Sequence, residues 1–215
     1  MAKLAPSVLG ADFTRLGEDI ADCTRLNVDL LHLDIMDGHF VPNITIGVPV
    51  VKTINGLTDR FLDVHLMLAE PEKYFEAFAK AGADLITFHL EVHPDPVPVA
   101  KQLRDLGVQT GLSINPDKPV EEVLPYLKHF DLLLLMSVFP GFGGQKFIGE
   151  TIPKIETARS YIDSNNLSCE IEVDGGIDGD NAATVSNAGA DILVMGTGFF
   201  GSNDRAGLTK MVQGL

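Results

Sequence analysis

The sequence contains few groups that could cross-link the chain or anchor it. Its 215 residues include no tryptophan and two cysteines, Cys23 and Cys169, which are far apart and lack the spacing of metal ligands. This usage is typical of a protein kept in a reducing compartment, with a single disulfide as the alternative. The N-terminus has no basic segment followed by an apolar run, and no apolar stretch reaches the length of a membrane span. We therefore expect a soluble, cytoplasmic protein.

Basic residues are also scarce. Lysine and arginine number 16 against 30 aspartates and glutamates, so the net charge is −14 and the isoelectric point is near 4.6. This excess of negative charge argues against nucleic acid or an anionic membrane surface as a partner. It would also repel an anionic small molecule at long range. Such a substrate would have to be held by local hydrogen-bond donors or by a bound cation.

Short apolar runs alternate with amphipathic segments along the whole chain, which is 45% hydrophobic. The predicted strands are Lys3–Leu9, Asp29–Ile35, Arg60–Met67, Asp84–His89, Gln109–Ile114, Leu132–Val138, Ser168–Asp174 and Ile192–Gly196. The predicted helices are Asp12–Leu26, Val48–Asn55, Pro71–Ala81, Val97–Leu106, Pro119–Leu127, Ile152–Ser164, Gly179–Ala188 and Ala206–Gln213. Eight strand–helix units predict an α/β fold, a closed parallel (β/α)8 barrel that forms a single domain over residues 1–215.

A short internal repeat supports a closed barrel. The segment Ala81–Asp84 recurs as Ala188–Asp191, half the chain away and each time between a helix and an apolar strand. The fourth and eighth strands would therefore hold equivalent positions in two half-barrels.

Three predicted strands carry polar side chains at every second position. These faces are His32, Asp34 and Met36; Asp63, His65 and Met67; and Glu170, Glu172 and Asp174. Alternate side chains of a strand share one face, so each set points the same way. In barrels of this kind the carboxyl ends of the strands carry the active site. The polar residues predicted at those ends are Ser7, His32, Asp34, His65, His89, Ser113, Asn115 and Asp174.

Two imidazoles and two carboxylates among these residues form a candidate metal site. The proposed ligands are His32, Asp34, His65 and Asp174. Mixed nitrogen and oxygen ligation suits one divalent ion, Zn²⁺, Fe²⁺, Mn²⁺ or Co²⁺, acting as a Lewis acid. For either histidine alone, a hydrogen-bonded core residue is the favoured alternative. For all four together the metal is favoured, because several unpaired buried charges would be costly.

Glycine-rich segments follow the last three predicted strands, at Pro140–Gln145, Asp174–Gly176 and Gly196–Gly198. Backbone N–H groups exposed by glycines can hold a phosphate without a basic side chain. The alternative is that the glycines only make tight turns. Three such segments on adjacent strands favour a phosphate site.

Three of the six methionines, Met36, Met67 and Met136, end strands on the predicted inner face. They could form a soft, water-poor floor under the reacting atoms. Ordinary core filling is the alternative. Asp37 and His39, in the turn after the second strand, lie off that face, and we expect them to be structural.

Several long motifs occur in an order that identifies a family. They are Ala5–Leu9, Leu33–Asn43, Asp63–Met67, Met136–Val138, Pro140–Gln145 and Glu172–Ile177. With these motifs the chain resembles the ribulose-phosphate 3-epimerases, a family of metal-dependent (β/α)8 barrels, over nearly its whole length. The resemblance implies an isomerase of carbohydrate metabolism, in the pentose phosphate pathway, that assembles as a dimer or a hexamer.

The resemblance also implies roles for individual residues. Asp34 and Asp174 would be the acid/base pair as well as two of the four metal ligands. The implied substrate-binding residues are Ser7, Met36, His65, Met67, Met136, Gly141, Phe142, Gly143, Gly144, Asp174, Gly175, Gly176, Gly196 and Thr197. One aspartate would remove the proton at C3 of D-ribulose 5-phosphate, and the other would deliver a proton to the opposite face to give D-xylulose 5-phosphate.

Three positions differ from the family's usual residues. Phe139 replaces a polar or acidic residue, Thr197 a serine and Val48 a proline. Phe139 leaves open a 3-epimerase of a six-carbon ketose phosphate such as allulose 6-phosphate. A non-catalytic phosphate-binding barrel is the alternative from another class, but both acid/base carboxylates are present. A decarboxylase of this fold is disfavoured because Met36 stands where its lysine would be.

Overall fold

Eight parallel β-strands form one sheet in the computed structural model, which describes residues 1–215. The strands are β1 Lys3–Pro6, β2 Leu30–Met36, β3 Phe61–Met67, β4 Leu85–His89, β5 Gln109–Ile114, β6 Leu132–Met136, β7 Glu170–Asp174 and β8 Ile192–Met195. Each strand pairs with the next along the chain from β2 to β8, and β8 pairs with β1. The predicted (β/α)8 barrel is therefore confirmed.

The seam of the barrel lies between β1 and β2. There a single parallel bridge joins Ser7 to His32. The ring is thus nearly closed, and the side chains at its carboxyl end meet around one opening.

Helices connect the strands and cover the outside of the barrel. They are α1 Leu16–Arg25, α2 Val48–Asn55, α3 Phe75–Ala81, α4 Val97–Asp105, α5 Thr151–Ser164, α6 Ala182–Asn187, α7 Thr197–Phe200 and α8 Arg205–Gln213. Short 3-10 helices lie at Val8–Gly10, Phe13–Arg15, Pro71–Lys73, Leu90–Val92, Val120–Glu122 and Leu124–His129. None of the helices is both long and apolar enough to cross a membrane.

One predicted helix is wrong, and several predicted strands are too long by one to three residues, the first by the most. The segment Pro119–Leu127 forms two 3-10 helices instead of an α-helix. Pro125 lies inside it and has no N–H to donate, so the α-helical hydrogen-bond ladder cannot run through. β1 ends at Pro6 instead of Leu9, because the chain turns there into the 3-10 helix Val8–Gly10.

The apolar core has two parts. The larger one, of 51 buried residues, lies between the strands and the surrounding helices. A smaller cluster of nine, including Leu134 and Val194, fills the inside of the barrel. Both faces of each strand are therefore buried, which is why the strands read as nearly continuous apolar runs.

Four aspartates repeat one contact at the amino end of the barrel. Asp29, Asp84, Asp131 and Asp191 stand just before the even-numbered strands. Each accepts a hydrogen bond from a backbone N–H of the preceding odd strand, at Leu4, Leu62, Thr110 and Ile171, over 2.8–2.9 Å. Asp84 and Asp191 end the two repeated segments, so the sequence repeat corresponds to a repeated contact in the structure. Asp29 and Asp131 make the same contact in the other two strand pairs.

Candidate active site

β2 and β3 bring polar side chains into the barrel from adjacent positions. Their register pairs His32 with Asp63 and Asp34 with His65. The intervening residues, such as Leu33 and Val64, point outward into the core beneath the helices. The alternation that identified these strands therefore also selects which side chains enter the site.

The four predicted metal ligands come together near the carboxyl end of the barrel. Ligand atoms of His32, Asp34, His65 and Asp174 lie within 4.8 Å of one another. Oδ1 of Asp34 is at the centre, 3.3 Å from Nε2 of His32 and 3.2 Å from Nδ1 of His65. Both histidines are fully buried, whereas Asp174 is partly exposed.

The two aspartates of the cluster have different environments. Burial alone would raise the pKa of Asp34, but the charge of His32 and the contacts of the carboxylate with His32 and His65 outweigh it and hold that pKa well below its usual range. Burial raises the pKa of Asp174 to about 7, and the negative charge of Asp34 adds to the effect. The pKa of His65 is lowered to about 4, chiefly by burial.

The donor set fits a divalent metal ion. Nε2 of His32 is buried and has no hydrogen-bond partner, although it lies beside the Asp34 carboxylate. An orphaned buried nitrogen of this kind is costly unless a ligand completes it. Two imidazole nitrogens with two carboxylates suit several divalent ions, so the cluster does not select one of them.

Two further acidic side chains lie beneath His32, towards the amino end of the barrel. Nδ1 of His32 is hydrogen-bonded to Oδ2 of Asp63, and it is 3.4 Å from Oε1 of Glu172. Burial raises the pKa of Glu172 well above its usual value, and the Asp63 carboxylate adds to the effect. The carboxylates of Asp63, Asp34 and Glu172 outweigh burial and raise the pKa of His32. Sequence reasoning assigned Asp63 and Glu172 no role, although both belong to the alternating polar faces.

A pocket opens above this cluster at the carboxyl end of the strands. Its wall includes Asp34 and Asp174 together with every residue predicted to bind substrate except His65. These are Ser7, Met36, Met67, Met136, Gly141, Phe142, Gly143, Gly144, Gly175, Gly176, Gly196 and Thr197. His65 is fully buried and does not line the pocket.

The three methionines form the apolar side of the pocket. Met36 and Met67 are paired in register at the ends of β2 and β3 and pack with Val41. Met136 ends β6 and packs with the apolar cluster inside the barrel. All three are buried, so the pocket wall beside the aspartates is poor in water-binding groups.

The glycine-rich loop Pro140–Gln145 lies against the loop after β7. Gly176 has a φ of +66°, and a side chain there would collide with the backbone of Gln145 and Phe147. The N–H groups of Gly143, Gly144, Gly175 and Gly176 make no hydrogen bond within the protein. They are available to an anionic group in the pocket. The loop is held to the barrel where Asn43 donates to the carbonyl oxygen of Gly141 over 2.7 Å.

A model of the ribulose-phosphate 3 epimerase family matches residues 3–200. The chain belongs to this family. The ribulose-phosphate 3-epimerase of Bacillus subtilis (strain 168) is 44% identical over 215 residues, which are 100% of this chain and 99% of the relative. The ribulose-phosphate 3-epimerase of a Synechocystis strain is 48% identical over 205 residues, 94% of this chain and 89% of the relative.

Solved structures outside the epimerase family share the barrel. KGPDC from Streptococcus mutans superimposes with a TM-score of 0.74 at 13% identity, covering 100% of this chain and 96% of that one. A 3-hexulose-6-phosphate synthase gives a TM-score of 0.70 at 16% identity, covering 100% of this chain and 99% of that one. At such low identity these similarities establish the fold alone.

The remaining residues singled out in the sequence also have defined places. Asp37 accepts hydrogen bonds from the backbone N–H groups of His39, Phe40 and Ala69, so it shapes the turn after β2. Phe139 is about half exposed, at 52%, at the start of the loop after β6, and it does not line the pocket. Cys23 and Cys169 are buried free thiols, so the disulfide alternative is wrong.

Proposed function

We propose that the protein interconverts D-ribulose 5-phosphate and D-xylulose 5-phosphate by metal-dependent epimerisation at C3. The observation that carries this proposal is the pairing of Asp34 and Asp174. These two carboxylates meet at the floor of one pocket but come from β2 and β7, on different sides of the ring. Relatives named ribulose-phosphate 3-epimerase, which match nearly the whole chain, support the same activity.

His32, Asp34, His65 and Asp174 would hold one divalent ion, Zn²⁺, Fe²⁺, Mn²⁺ or Co²⁺. When bound, such an ion polarises the C2 carbonyl group of the substrate and offsets the negative charge that develops on its oxygen. This matters because a carboxylate with an ordinary pKa near 4 is a weak base towards a carbon acid.

Proton transfer would use the two aspartates on opposite faces of the sugar. One carboxylate removes the C3 proton, and the electron pair of that C–H bond becomes part of an enediolate. The other carboxyl group gives a proton to the opposite face of C3, which inverts the centre. Ser7 donates a hydrogen bond to Oδ2 of Asp34 over 2.6 Å and so holds that carboxylate in position.

The rest of the pocket would bind and enclose the substrate. Met36, Met67 and Met136 exclude water from the reacting carbons, which strengthens the electrostatic interactions there. The phosphate would be held by backbone N–H groups of the three glycine-rich loops, at Gly141–Gly144, Gly175–Gly176 and Gly196–Thr197. Donation from the backbone suits a protein with a net charge of −14, because no basic side chain lines this pocket.

The test is isotope exchange at C3 in D2O, with metal content measured on every sample. We expect both epimers to exchange their C3 hydrogen and interconvert in the wild-type enzyme. Asp174→Asn should stop interconversion but leave exchange from the one epimer whose C3 hydrogen faces Asp34. The matched control is Asp180→Asn, an exposed carboxylate that should leave both processes unchanged. If metal-loaded enzyme shows no exchange on any ketose phosphate, the proposal is wrong.

The same assay decides between substrate lengths. We expect D-ribulose 5-phosphate to react faster than allulose 6-phosphate. The opposite order would show that the six-carbon sugar phosphate is the preferred substrate. Assembly as a dimer or hexamer and a cytoplasmic location stay predictions. Sedimentation of the purified protein and fractionation of the source cells would check them.

A further inference from the structure

The loop after β7 begins with two consecutive glycines whose carbonyl oxygens are both held by side chains. The hydroxyl group of Ser137 donates to the carbonyl oxygen of Gly175 over 2.7 Å. The side-chain amide of Asn181 donates to the carbonyl oxygen of Gly176 over 2.9 Å. Neither oxygen accepts a hydrogen bond from any other group of the protein. Each carbonyl group is thus held by one side chain, and the proposed mechanism uses neither of these side chains.

The hydroxyl group of Ser137 is committed to Gly175. It also lies 2.9 Å from the carbonyl oxygen of Asp174, but that oxygen already accepts the backbone N–H of Ser137 over 2.7 Å. A hydroxyl has one hydrogen to donate, and the shorter contact is the one to Gly175. Ser137 is fully buried directly after β6 and does not line the substrate pocket. The Gly175 carbonyl group is therefore turned away from the pocket.

Two backbone N–H groups are turned the other way. The C=O and N–H of a trans peptide group lie in one plane and point in opposite directions. The held carbonyl groups therefore direct the N–H groups of Gly176 and Ile177 away from Ser137 and Asn181. Both Gly176 and Ile177 line the pocket, whereas the two side chains do not. Neither N–H makes a hydrogen bond within the protein, so both are free to bind an anion there.

The backbone alone does not determine this orientation. Gly175 has a φ of +122° and Gly176 a φ of +66°, and glycine adopts either sign of φ readily. If the peptide group between them turned over, it would present its carbonyl oxygen to the pocket and repel a phosphate. No basic side chain lines the pocket to offset such a repulsion. The contacts with the two side chains therefore decide whether this loop attracts or repels an anion.

We propose that Ser137 and Asn181 orient the loop after β7 so that two of its backbone N–H groups bind the phosphate of the substrate. The two groups are the N–H of Gly176 and the N–H of Ile177. Ser137 and Asn181 are positioning residues, because they act through the backbone and do not line the pocket. The inference rests on the proposed function only in taking the glycine-rich loops as the phosphate site. It adds the Ile177 N–H to the donors predicted from the sequence.

The first test uses the wild-type protein in its zinc-loaded form. Inorganic phosphate is the probe, and backbone ¹H–¹⁵N correlation spectra follow individual amide groups. We expect the resonances of Gly176 and Ile177 to move to lower field as phosphate is added, because each N–H then donates to the anion. Phosphate bound only to the metal ion would leave both resonances in place and would overturn the inference.

The second test is Ser137→Ala, which frees the carbonyl group of Gly175 to turn. The affinity for phosphate, measured by titration in the same spectra, should fall about 10-fold or more, as expected when a hydrogen bond to a charged group is lost. The affinity for Zn²⁺, measured by competition with a chelator, should be unchanged. A general distortion would affect both affinities, because the backbone N–H of Ser137 also holds Asp174, a proposed metal ligand.

Asn181→Ala tests the other contact independently. Asn181 is partly exposed, so this variant is expected to fold even if Ser137→Ala does not. Its affinity for phosphate should also fall about 10-fold, again with unchanged affinity for Zn²⁺.

Each variant has a matched control. Ser113→Ala removes a buried hydroxyl that has no hydrogen-bond partner, from the neighbouring strand β5. Asn187→Ala removes an exposed amide from the far end of α6, the helix that follows Asn181. Both controls should bind phosphate as the wild type does. Circular dichroism identifies the folded variants that enter the comparison.

Two further results would overturn the inference. One is a folded Ser137→Ala or Asn181→Ala protein that binds phosphate as tightly as the wild type. The other is an equal loss of phosphate and Zn²⁺ affinity, which would show that the two side chains only maintain the fold. If phosphate binding follows the expected pattern but the wild-type enzyme epimerises no ketose phosphate, the proposed function alone is wrong.

Discussion

The hydroxyl group of Ser7 donates to Oδ2 of Asp34 over 2.6 Å, across the seam of the barrel. A hydroxyl has a single hydrogen to donate, and here it is directed to one oxygen of the carboxylate. The other oxygen, Oδ1, faces the nitrogens of His32 and His65. Ser7 therefore fixes how the two oxygens of Asp34 are divided between the metal cluster and the pocket.

Ser7→Ala should reduce kcat/KM about 10- to 100-fold. It removes a hydrogen bond to a charged acceptor, which contributes about 1.5–3 kcal/mol, and it frees the Asp34 carboxylate to rotate. The control is Ser113→Ala, in which a buried hydroxyl without a hydrogen-bond partner is removed from β5. Steady-state kinetics measure kcat/KM of both variants, and we expect only Ser7→Ala to show the loss. Equal losses in the two would mean that the Ser7 contact has no particular role.

Asp63→Asn should weaken metal binding about 10- to 100-fold while leaving the pocket wall intact. Asp63 accepts the hydrogen bond of His32 Nδ1, and a neutral amide supports the basicity of the opposite ring nitrogen less well. Glu170→Gln is the control, because it makes the same chemical change at the amino end of the barrel, where Glu170 pairs with Lys3. Isothermal titration with Mn²⁺ measures both affinities. An unchanged affinity in Asp63→Asn would show that the contact only fills the core.

Gly176→Ala should raise KM for the sugar phosphate and destabilise the protein by more than the strain of its positive φ, which is about 1–2 kcal/mol. The added methyl group would lie 2.7 Å from the carbonyl oxygen of Gln145 and so push the glycine-rich loop away from the loop after β7. Gly107→Ala separates the two effects. Gly107 has a φ of +82° but no atom within 4 Å of the added carbon. Its variant should lose stability through strain alone, with KM unchanged in the kinetic assay.

The stability of the protein should fall steeply in alkaline solution because of its two cysteines. Burial raises the pKa of Cys23 and of Cys169 from an ordinary value of 9.0 to about 12. Below pH 9 both thiols are neutral in the folded and the unfolded chain. Between pH 9 and 12 the unfolded chain loses these protons first, so stability decreases as the pH rises. The expected slope is about 1.4 kcal/mol per pH unit for each cysteine.

Urea unfolding at pH 8 and pH 10.5 measures this effect. The double variant Cys23→Ala, Cys169→Ala keeps the other alkaline groups, so it should show a smaller loss of stability between the two pH values. Parallel losses in the two proteins would contradict the assignment to the cysteines.

The barrel could be predicted from the sequence because its strands are buried on both faces and its helices on one. Strands buried on both faces give short continuous apolar runs, and helices buried on one face give apolar residues at helical spacing. The prediction was wrong where a single residue governs the local backbone. Pro125 breaks the segment Pro119–Leu127 into 3-10 helices. At the end of β1, the bond from the N–H of Gly10 to the carbonyl of Ser7 closes a turn that the apolar pattern does not reveal.

The candidate metal cluster could be predicted in the same way, but the residues that hydrogen-bond to its members could not. Period-two alternation places His32, Asp34 and His65 on inward faces whatever the exact register. The contact of Asp63 with His32 depends on the stagger between neighbouring strands and on side-chain reach. It is not encoded in the pattern of one strand. The sequence thus indicated the residues of the candidate site, and the structure was needed to find the residues that contact them.

The four aspartates at the amino end of the barrel distinguish that end from the carboxyl end, where the candidate site lies. Each one joins an odd strand to the following even strand, so the same hydrogen bond occurs four times at the amino end of the barrel. The carboxyl end has no such repeated contact, because each residue of the candidate site occurs once. Asp34 comes from the first strand pair, His65 from the second and Asp174 from the fourth. Each strand pair therefore contains its own aspartate contact at the amino end, whereas the proposed site needs residues from three pairs and forms only when the ring is complete.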